Sequence, residues 1–352
     1  MSTATTPSPF LGAVMHATRA YSKLFSESRF APILSRPAPV RHSDYDRVLR
    51  VETRTVEADG VVSLTLVSPD GGVLPSWVPG AHVDVFLASG LQRQYSLCGD
   101  PADRTRYRIA VRRVDDGVGS AEIHETIAEH STIRVRGPRN AFPLAEAPSY
   151  LFVAAGIGIT PILPMIRSVA GAGRPWKLYY LGRSLDTMPF RNELSALPGG
   201  DVMIRPDDEF GITPIAEILD HAQPHGAIYL CGPAPLAKDA HQQAPLVAPT
   251  CSLHTERFSP PPVVGGEPFE MRLARTGSTV QVAADETTLS AIRRAVPGAT
   301  YSCRQGFCGT CKVRVLSGDV DHRDTRLLGE QRAESMLPCV SRAAGSALEI
   351  DL

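Results

Sequence analysis

Cys303, Cys308 and Cys311 stand in the spacing C-x4-C-x2-C, and Cys339 follows 28 positions after Cys311. Four thiolates that converge on one inorganic centre constrain a fold more tightly than any apolar run. The loop 303–311 has to wrap the centre while position 339 returns to it. The spacing is the one by which plant-type 2Fe-2S clusters are held, and soft thiolate sulfur suits iron in tetrahedral coordination. Arg304-Gln305-Gly306-Phe307 and Gly309-Thr310 suit a tight loop, in which glycine lets the backbone turn its N–H groups towards sulfur. Zinc is the competing occupant of a four-cysteine set. Structural zinc sites more often use two short-spaced cysteine pairs, however, and Cys339 has no near neighbour. Cys98 and Cys251 read as small buried apolar residues.

Seven cysteines in 352 residues are too sparse and too uneven for a disulfide scaffold, which points to a reducing, cytoplasmic setting. A chain this long is expected to divide into two or three domains. Lys and Arg are balanced by Asp and Glu to a formal charge of −1 and form no long basic run, so no nucleic-acid partner is expected. No stretch reaches the roughly 18 to 20 apolar residues of a membrane span, and the short run Phe10 to Met15 lacks the flanks of a secretory signal. No membrane association is expected.

The pattern along the chain changes three times. Residues 1–45 mix Ser, Thr, Pro and Ala, with a hint of helical amphipathicity over Ala17 to Leu34, and read as an extension. Residues 46–147 carry short runs rich in Val, Ile, Tyr and Thr between turn signals such as Asp59-Gly60 and Asp116-Gly117, which predicts an antiparallel β-barrel with one helix near Ser120 to His130. Residues 148–258 alternate strand and helix, which predicts an α/β unit with a parallel sheet. A Pro/Gly segment, 259–266, reads as a linker, and 267–352 has the length of one small α+β domain holding the cysteine cluster.

Two further motif sets suggest cofactor chemistry. Arg93-Gln94-Tyr95-Ser96 lies on a predicted strand, and period-two alternation sends Arg93 and Tyr95 to one face and Ser96 to the other. Such residues match the needs of an isoalloxazine: an aromatic face, a hydroxyl near the redox-active nitrogen and a cation for a phosphate. Packing and surface roles are the ordinary use of the same residues. Gly156-Ile157-Gly158-Ile159-Thr160-Pro161 lies where a strand ends and a helix begins, where glycine permits close approach of a pyrophosphate to a helix N-terminus. It is not the G-x-G-x-x-G fingerprint. Cys231-Gly232-Pro233 closes another predicted strand at the same carboxyl edge, and two glycine turns at one edge point to nucleotide binding.

Taken together, the cysteine spacing, Arg93-Gln94-Tyr95-Ser96-Leu97, the Gly156 to Pro161 segment and Cys231-Gly232-Pro233 resemble the phthalate dioxygenase reductase family over roughly Arg47 to Leu352. The resemblance implies a flavin barrel, a nicotinamide domain and a C-terminal β-grasp ferredoxin domain, in that order. It implies flavin contacts at Arg93, Gln94, Tyr95 and Ser96, at Ala110, Val111 and Arg112, and at Gly119 and Ser120. It implies nicotinamide-nucleotide contacts at Gly156, Gly158, Thr160, Cys231 and Gly232, with Arg183 and Ser184 near the adenosine ribose and Glu256 and Phe258 near the flavin. Ser96, Thr160, Cys231 and Glu256 are the expected catalytic set, and Cys303, Cys308, Cys311 and Cys339 the iron ligands. The family, and the absence of an adenine-binding insertion, favour FMN over FAD. NADH is the family's usual donor, and NADPH stays open because Arg183-Ser184 also suits a 2′-phosphate. Ala155 stands where the family often has glycine, and the N-terminal 45 residues extend beyond the family core.

The expected activity is that of an NAD(P)H-dependent electron-transfer reductase serving a terminal oxygenase, such as a Rieske-type aromatic hydroxylase or demethylase. The rivals are a flavin enzyme whose iron–sulfur domain is a relic, and a redox-sensing flavin/iron–sulfur binding protein without significant turnover.

Overall fold

The computed structural model describes residues 46–352 apart from 116, 259 and 260, so the N-terminal extension and part of the expected linker lie outside the described residues. Six strands, β1 (Asp46–Ala58), β2 (Val61–Val67), β3 (Ala81–Phe86), β4 (Gln92–Ser96), β5 (Arg106–Arg112) and β6 (Thr132–Asn140), form one sheet in the order β4-β3-β6-β1-β2-β5. A bridge between Leu97 and Ile109 joins the two edge strands. The sheet therefore curls into the expected antiparallel barrel, and closure removes its exposed edges. Val51, Leu64, Leu66, Val83, Val85 and Ile109 fill its interior. Helix α1 (Val118–Thr126) lies between β5 and β6. It starts two residues earlier and ends four residues earlier than the helix expected at Ser120 to His130, and the early end arises because Ile127 already takes an extended conformation (φ −88°, ψ 106°) that stops the helix at Thr126.

Five parallel strands follow: β7 (Tyr150–Ala155), β8 (Trp176–Gly182), β9 (Gly200–Pro206), β10 (Ala227–Cys231) and β11 (Ser252–Glu256), in the order β11-β10-β7-β8-β9. The chain builds outward from β7 in one direction and then crosses to β10 on the other side. The strand order thus reverses between β7 and β10, and the carboxyl ends of these two strands flank the crevice where ligands of open α/β sheets bind. Helix α2 (Ile159–Gly171) follows β7, and its Ile159, Ile162, Leu163, Ile166 and Val169 are buried at helical spacing. Pro161 fits its first turn, where a backbone N–H would have no helical partner. Helix α3 (Ala234–Val247) follows β10. Barrel residues Val61, Cys98, Ala110 and Phe142 share one apolar core with α2 and the parallel sheet, so the two units are packed together. Each of the larger side chains there contributes about 1.5–3 kcal/mol.

The C-terminal unit is a mixed sheet of β12 (Phe269–Leu273), β13 (Ser278–Val282), β14 (Val313–Ser317), β16 (Ser335–Met336) and β18 (Ala347–Ile350), ordered β13-β12-β18-β14-β16, with β15 (Val320–Asp321) paired to β17 (Arg342–Ala343). Helix α4 (Thr288–Ala295) contributes Leu289, Ala291 and Ile292 to its core. Thr287 caps α4, its hydroxyl accepting from the Ser290 N–H at 3.1 Å. Among the described residues no helix is long and apolar enough to cross a membrane.

Candidate functional site

The cysteine loop leaves α4 and returns past it. Cys303, Cys311 and Cys339 are buried and Cys308 is half-buried. Their thiols touch in pairs, Cys303 with Cys308 and Cys339, and Cys339 with Cys311. Among the described residues no three His, Cys, Asp or Glu side chains surround a single-ion position. The backbone aims inward: the Gln305 N–H donates to Cys303 Sγ at 3.3 Å and the Thr310 N–H to Cys308 Sγ at 3.5 Å. Left-handed residues at Arg304 (φ 54°), Gly306 (81°) and Gly309 (77°) make this wrapping possible. A Cβ on Gly306 would stand 2.7 Å from Val340 Cγ2 and 3.2 Å from Asp324 Cα, so only glycine lets the loop settle there. Hydrogen bonds hold Cys303 and Cys311 below the ordinary thiol value, through Cys308 and Cys339 respectively, and Cys308 and Cys339 above it, both chiefly through Cys303. Four sulfur donors with inward N–H groups fit an iron–sulfur cluster, which takes them all as thiolates.

On the barrel, β4 pairs with β3 so that Tyr95 faces Val83 and Ser96 faces His82. Val83 points into the barrel core, which puts Arg93 and Tyr95 on the opposite face from Gln94 and Ser96, as alternation requires. Arg93 lies over the start of α1: a Cβ on Gly119 would come within 2.9 Å of its Nε. A guanidinium and a helix N-terminus meeting at one point suit an anionic group. Burial pushes the Tyr95 phenol up to about 12, so it stays neutral. The Ser120 hydroxyl donates to Gly117 O at 2.8 Å and accepts from the Val114 N–H at 3.0 Å, so it shapes the turn from within. Ala110 and Val111 are buried and Arg112 is exposed, which leaves backbone as the main contribution of the first two to a ligand. The Gln94 amide is engaged away from the barrel, with Asp84 and Ser302.

The switch point between β7 and β10 brings Gly156, Gly158, Cys231 and Gly232 together. A Cβ on Gly158 would stand 2.2 Å from Cys231 O, so the two turns touch through backbone. Gly156 (φ 53°) has nothing within 4 Å of its Cβ position and borders open space. Ala155 packs its methyl at 3.0 Å from the Cβ position of Gly232. Thr160 is buried and its hydroxyl donates to Ile157 O at 2.9 Å. Arg183 is exposed beyond β8, and Ser184 forms a capping box with Thr187. Phe258, just past β11, is 45% exposed.

Glu256 is paired with Cys231 across β10 and β11, and its Oε2 is enclosed with no hydrogen-bond partner. Burial pushes its carboxyl up to about 8, and burial followed by Glu256 pushes the Cys231 thiol up, so both are predominantly neutral at pH 7. Because the folded-state value lies above the unfolded value near 4.5, the folded state keeps a proton that the unfolded chain releases. This contribution is complete below about 4.5 and is lost as pH rises towards about 8. Glu256→Gln is expected to abolish that slope, with the denaturation midpoint equal to wild type at about pH 4 and above it at about pH 8.5.

Two sets of contacts are not apparent from the sequence. Asp84, fully buried on β3, accepts from Gln94 Nε2 at 3.0 Å, from Ser302 Oγ at 3.0 Å and from Arg139. Gln305 Nε2 donates to Arg257 O at 2.7 Å. The cysteine loop is thus bound to the barrel and to the end of the parallel-sheet unit. Separately, Glu193 pairs with Arg108 of β5 and Arg167 of α2. The only sequence signal for Asp84 is an acidic residue between Val83 and Val85, which reads as an ordinary solvent-facing strand position. Cys251, expected to be buried, is half-buried and donates to Gln223 O at 3.1 Å.

Residues 271–344 match the family described as the 2Fe-2S iron–sulfur cluster binding domain. The chain is 37% identical over 324 residues to the tert-butanol monooxygenase / tert-amyl alcohol desaturase reductase subunit of Aquincola tertiaricarbonis, covering 86% of this chain and 95% of that one. It is 35% identical over 312 residues to the phthalate dioxygenase reductase of Burkholderia cepacia, covering 86% and 97%. The solved structure of phthalate dioxygenase reductase, described as modular for electron transfer from pyridine nucleotides to [2Fe-2S], superposes with a TM-score of 0.66 at 33% identity over 88% of this chain and 98% of that one. Full-length CYP116B46 from Tepidiphilus thermophilus matches with a TM-score of 0.65 at 36% identity over 90% of this chain, which spans 43% of that longer polypeptide. With the barrel, the parallel sheet and the four-cysteine unit in the same order, the chain belongs to the phthalate dioxygenase reductase family.

Proposed function

We propose that this chain takes a hydride from NADH onto FMN and delivers the electrons singly, through a 2Fe-2S cluster on Cys303, Cys308, Cys311 and Cys339, to a terminal oxygenase in the cytoplasm. Bound flavin supplies the conversion from two-electron to one-electron chemistry, and the cluster supplies a one-electron carrier. The observation that carries the reading is the double attachment of the cysteine loop, through Ser302 to the strand pair that holds Ser96 and through Gln305 to the carbonyl beside Glu256. The functional units are 46–147, 148–258 and 267–352, joined by 259–266.

In this proposal the protein binds, orients and excludes charge. Arg93 and the α1 N-terminus at Gly119 and Ser120 hold the flavin phosphate, Tyr95 covers an apolar surface, Ser96 offers its hydroxyl, and Ala110, Val111 and Arg112 line the strand edge. Gly156, Gly158 and Gly232 admit the pyrophosphate, and Arg183 and Ser184 meet the adenosine ribose. Thr160 and the neutral Cys231 and Glu256 place the nicotinamide without setting a negative charge against it. Rate then depends mainly on orientation. A Rieske-type hydroxylase or demethylase is the proposed acceptor. The likeness to an intact type IV self-sufficient cytochrome P450 monooxygenase and to the beta subunit of a heme-dependent oxidative N-demethylase supports a haem oxygenase as the second candidate.

Anaerobic addition of NADH to the purified protein, followed by stopped-flow absorbance, is expected to bleach the flavin first and the cluster afterwards. Flavin bleaching with no cluster bleaching at any time overturns the route. Negligible NADH-driven cytochrome c reduction marks a sensor instead.

A further inference from the structure

We infer that Asp84, Arg139 and Gln94 form a buried interdomain latch that grips Ser302 and thereby positions the cluster-binding loop against the barrel. The inference rests on the proposed electron route, because only then does the placement of Cys303 matter to function.

Asp84, on strand β3 between β4 and β6, has no exposed surface. A buried carboxylate is tolerated only when charge and hydrogen bonds compensate it. Gln94 and Arg139 supply this from β4 and β6, the strands on either side of β3. One extra β6 residue between the pairs His82–Arg139 and Asp84–Arg136 brings Arg139 onto the same face as Asp84. The Ser302 hydroxyl closes the set. It donates to Asp84 Oδ1 at 3.0 Å and accepts from Gln94 Nε2 at 2.9 Å and Arg139 at 2.6 Å. Ser302 immediately precedes the first cluster cysteine and is itself 5% exposed. A hydroxyl that meets one acceptor and two donors has its position and rotamer determined. Electron transfer falls steeply with distance, so a residue that locks the Cys303 backbone to the flavin-bearing sheet sets the rate without touching either cofactor. Ser302, Asp84, Arg139 and Gln94 are positioning residues.

Ser302→Ala removes the grip while leaving the cysteines intact, and Ser302→Thr keeps the hydroxyl. In the holoprotein with unchanged iron and sulfide content, Ser302→Ala is expected to speed amide hydrogen exchange over residues 301–306 at least tenfold. It is also expected to slow cluster reduction by reduced flavin at least tenfold while flavin reduction by NADH stays within twofold. Ser302→Thr restores both. Wild-type exchange and wild-type cluster reduction in Ser302→Ala overturn the latch, and so does a Ser302→Thr that fails to rescue. Asp84→Asn, which leaves Arg139 without its counter-charge, gives the same signature if it folds. Exchange over 301–306 reads the latch even if wild-type flavin never reduces the cluster, so failure of the latch and failure of the electron route are distinguishable.

Discussion

Cys308→Ser is expected to lower NADH-driven cytochrome c reduction more than about 100-fold while leaving reduction of a flavin-directed dye such as ferricyanide within twofold. Loss of a residue supporting a metal ligand already costs about 10- to 100-fold, and loss of the ligand exceeds it. Cys308 is the half-buried member of the set and receives the Thr310 N–H at 3.5 Å, in a turn set by Gly309. Serine keeps the volume but replaces a soft thiolate with a hard hydroxyl that stays protonated. The parallel sheet and barrel share an apolar core that does not include this loop, so they stay folded and reducible. Equal loss with both acceptors contradicts the assignment of flavin and cluster to separate units.

Gly158→Ala is expected to raise KM for NADH at least tenfold and to destabilise the protein by about 1–3 kcal/mol, with FMN content unchanged. The added methyl would meet Cys231 O at 2.2 Å and Cys231 C at 2.7 Å, both backbone atoms, so no side-chain rotation relieves the clash. One of the two turns at the switch point has to retreat, and the crevice between β7 and β10 opens. Gly156→Ala is the contrasting case. Its Cβ meets no protein atom within 4 Å, so the stability cost is that of a left-handed backbone alone, about 1–2 kcal/mol, while the methyl enters the open space proposed for the pyrophosphate and raises KM for NADH through the ligand itself. A Gly158→Ala protein with wild-type KM and melting temperature refutes the role given to this contact.

Where sequence reading succeeded or failed has identifiable causes. The strand ending at Ala155 and the buried stripe of α2 were legible because a strongly apolar run breaks at glycines and resumes with helical spacing. Helix α3 was not predicted. Its buried face consists of the small residues Ala237, Ala240 and Ala244, and Pro235 and Pro245 lie within it. Strand β11, Ser-Leu-His-Thr-Glu, was missed because an edge strand with mixed exposure has no clean alternation and exists by pairing with β10. Gln94 read as one of a run of flavin contacts, yet its amide reaches Ser302, 208 positions away.

By itself the sequence determined the chemistry available to this protein: thiolate spacing, glycine turns and the Arg-x-Tyr-Ser strand are requirements of bond length and local backbone conformation, and these are written in consecutive residues. Tertiary structure alone decided that Asp84 and Ser302, 218 positions apart, share a hydrogen bond, and that Glu256 is enclosed beside Cys231 and kept protonated. Both depend on which surfaces meet after the three units have folded, and contacts of that kind leave no periodic trace in a chain.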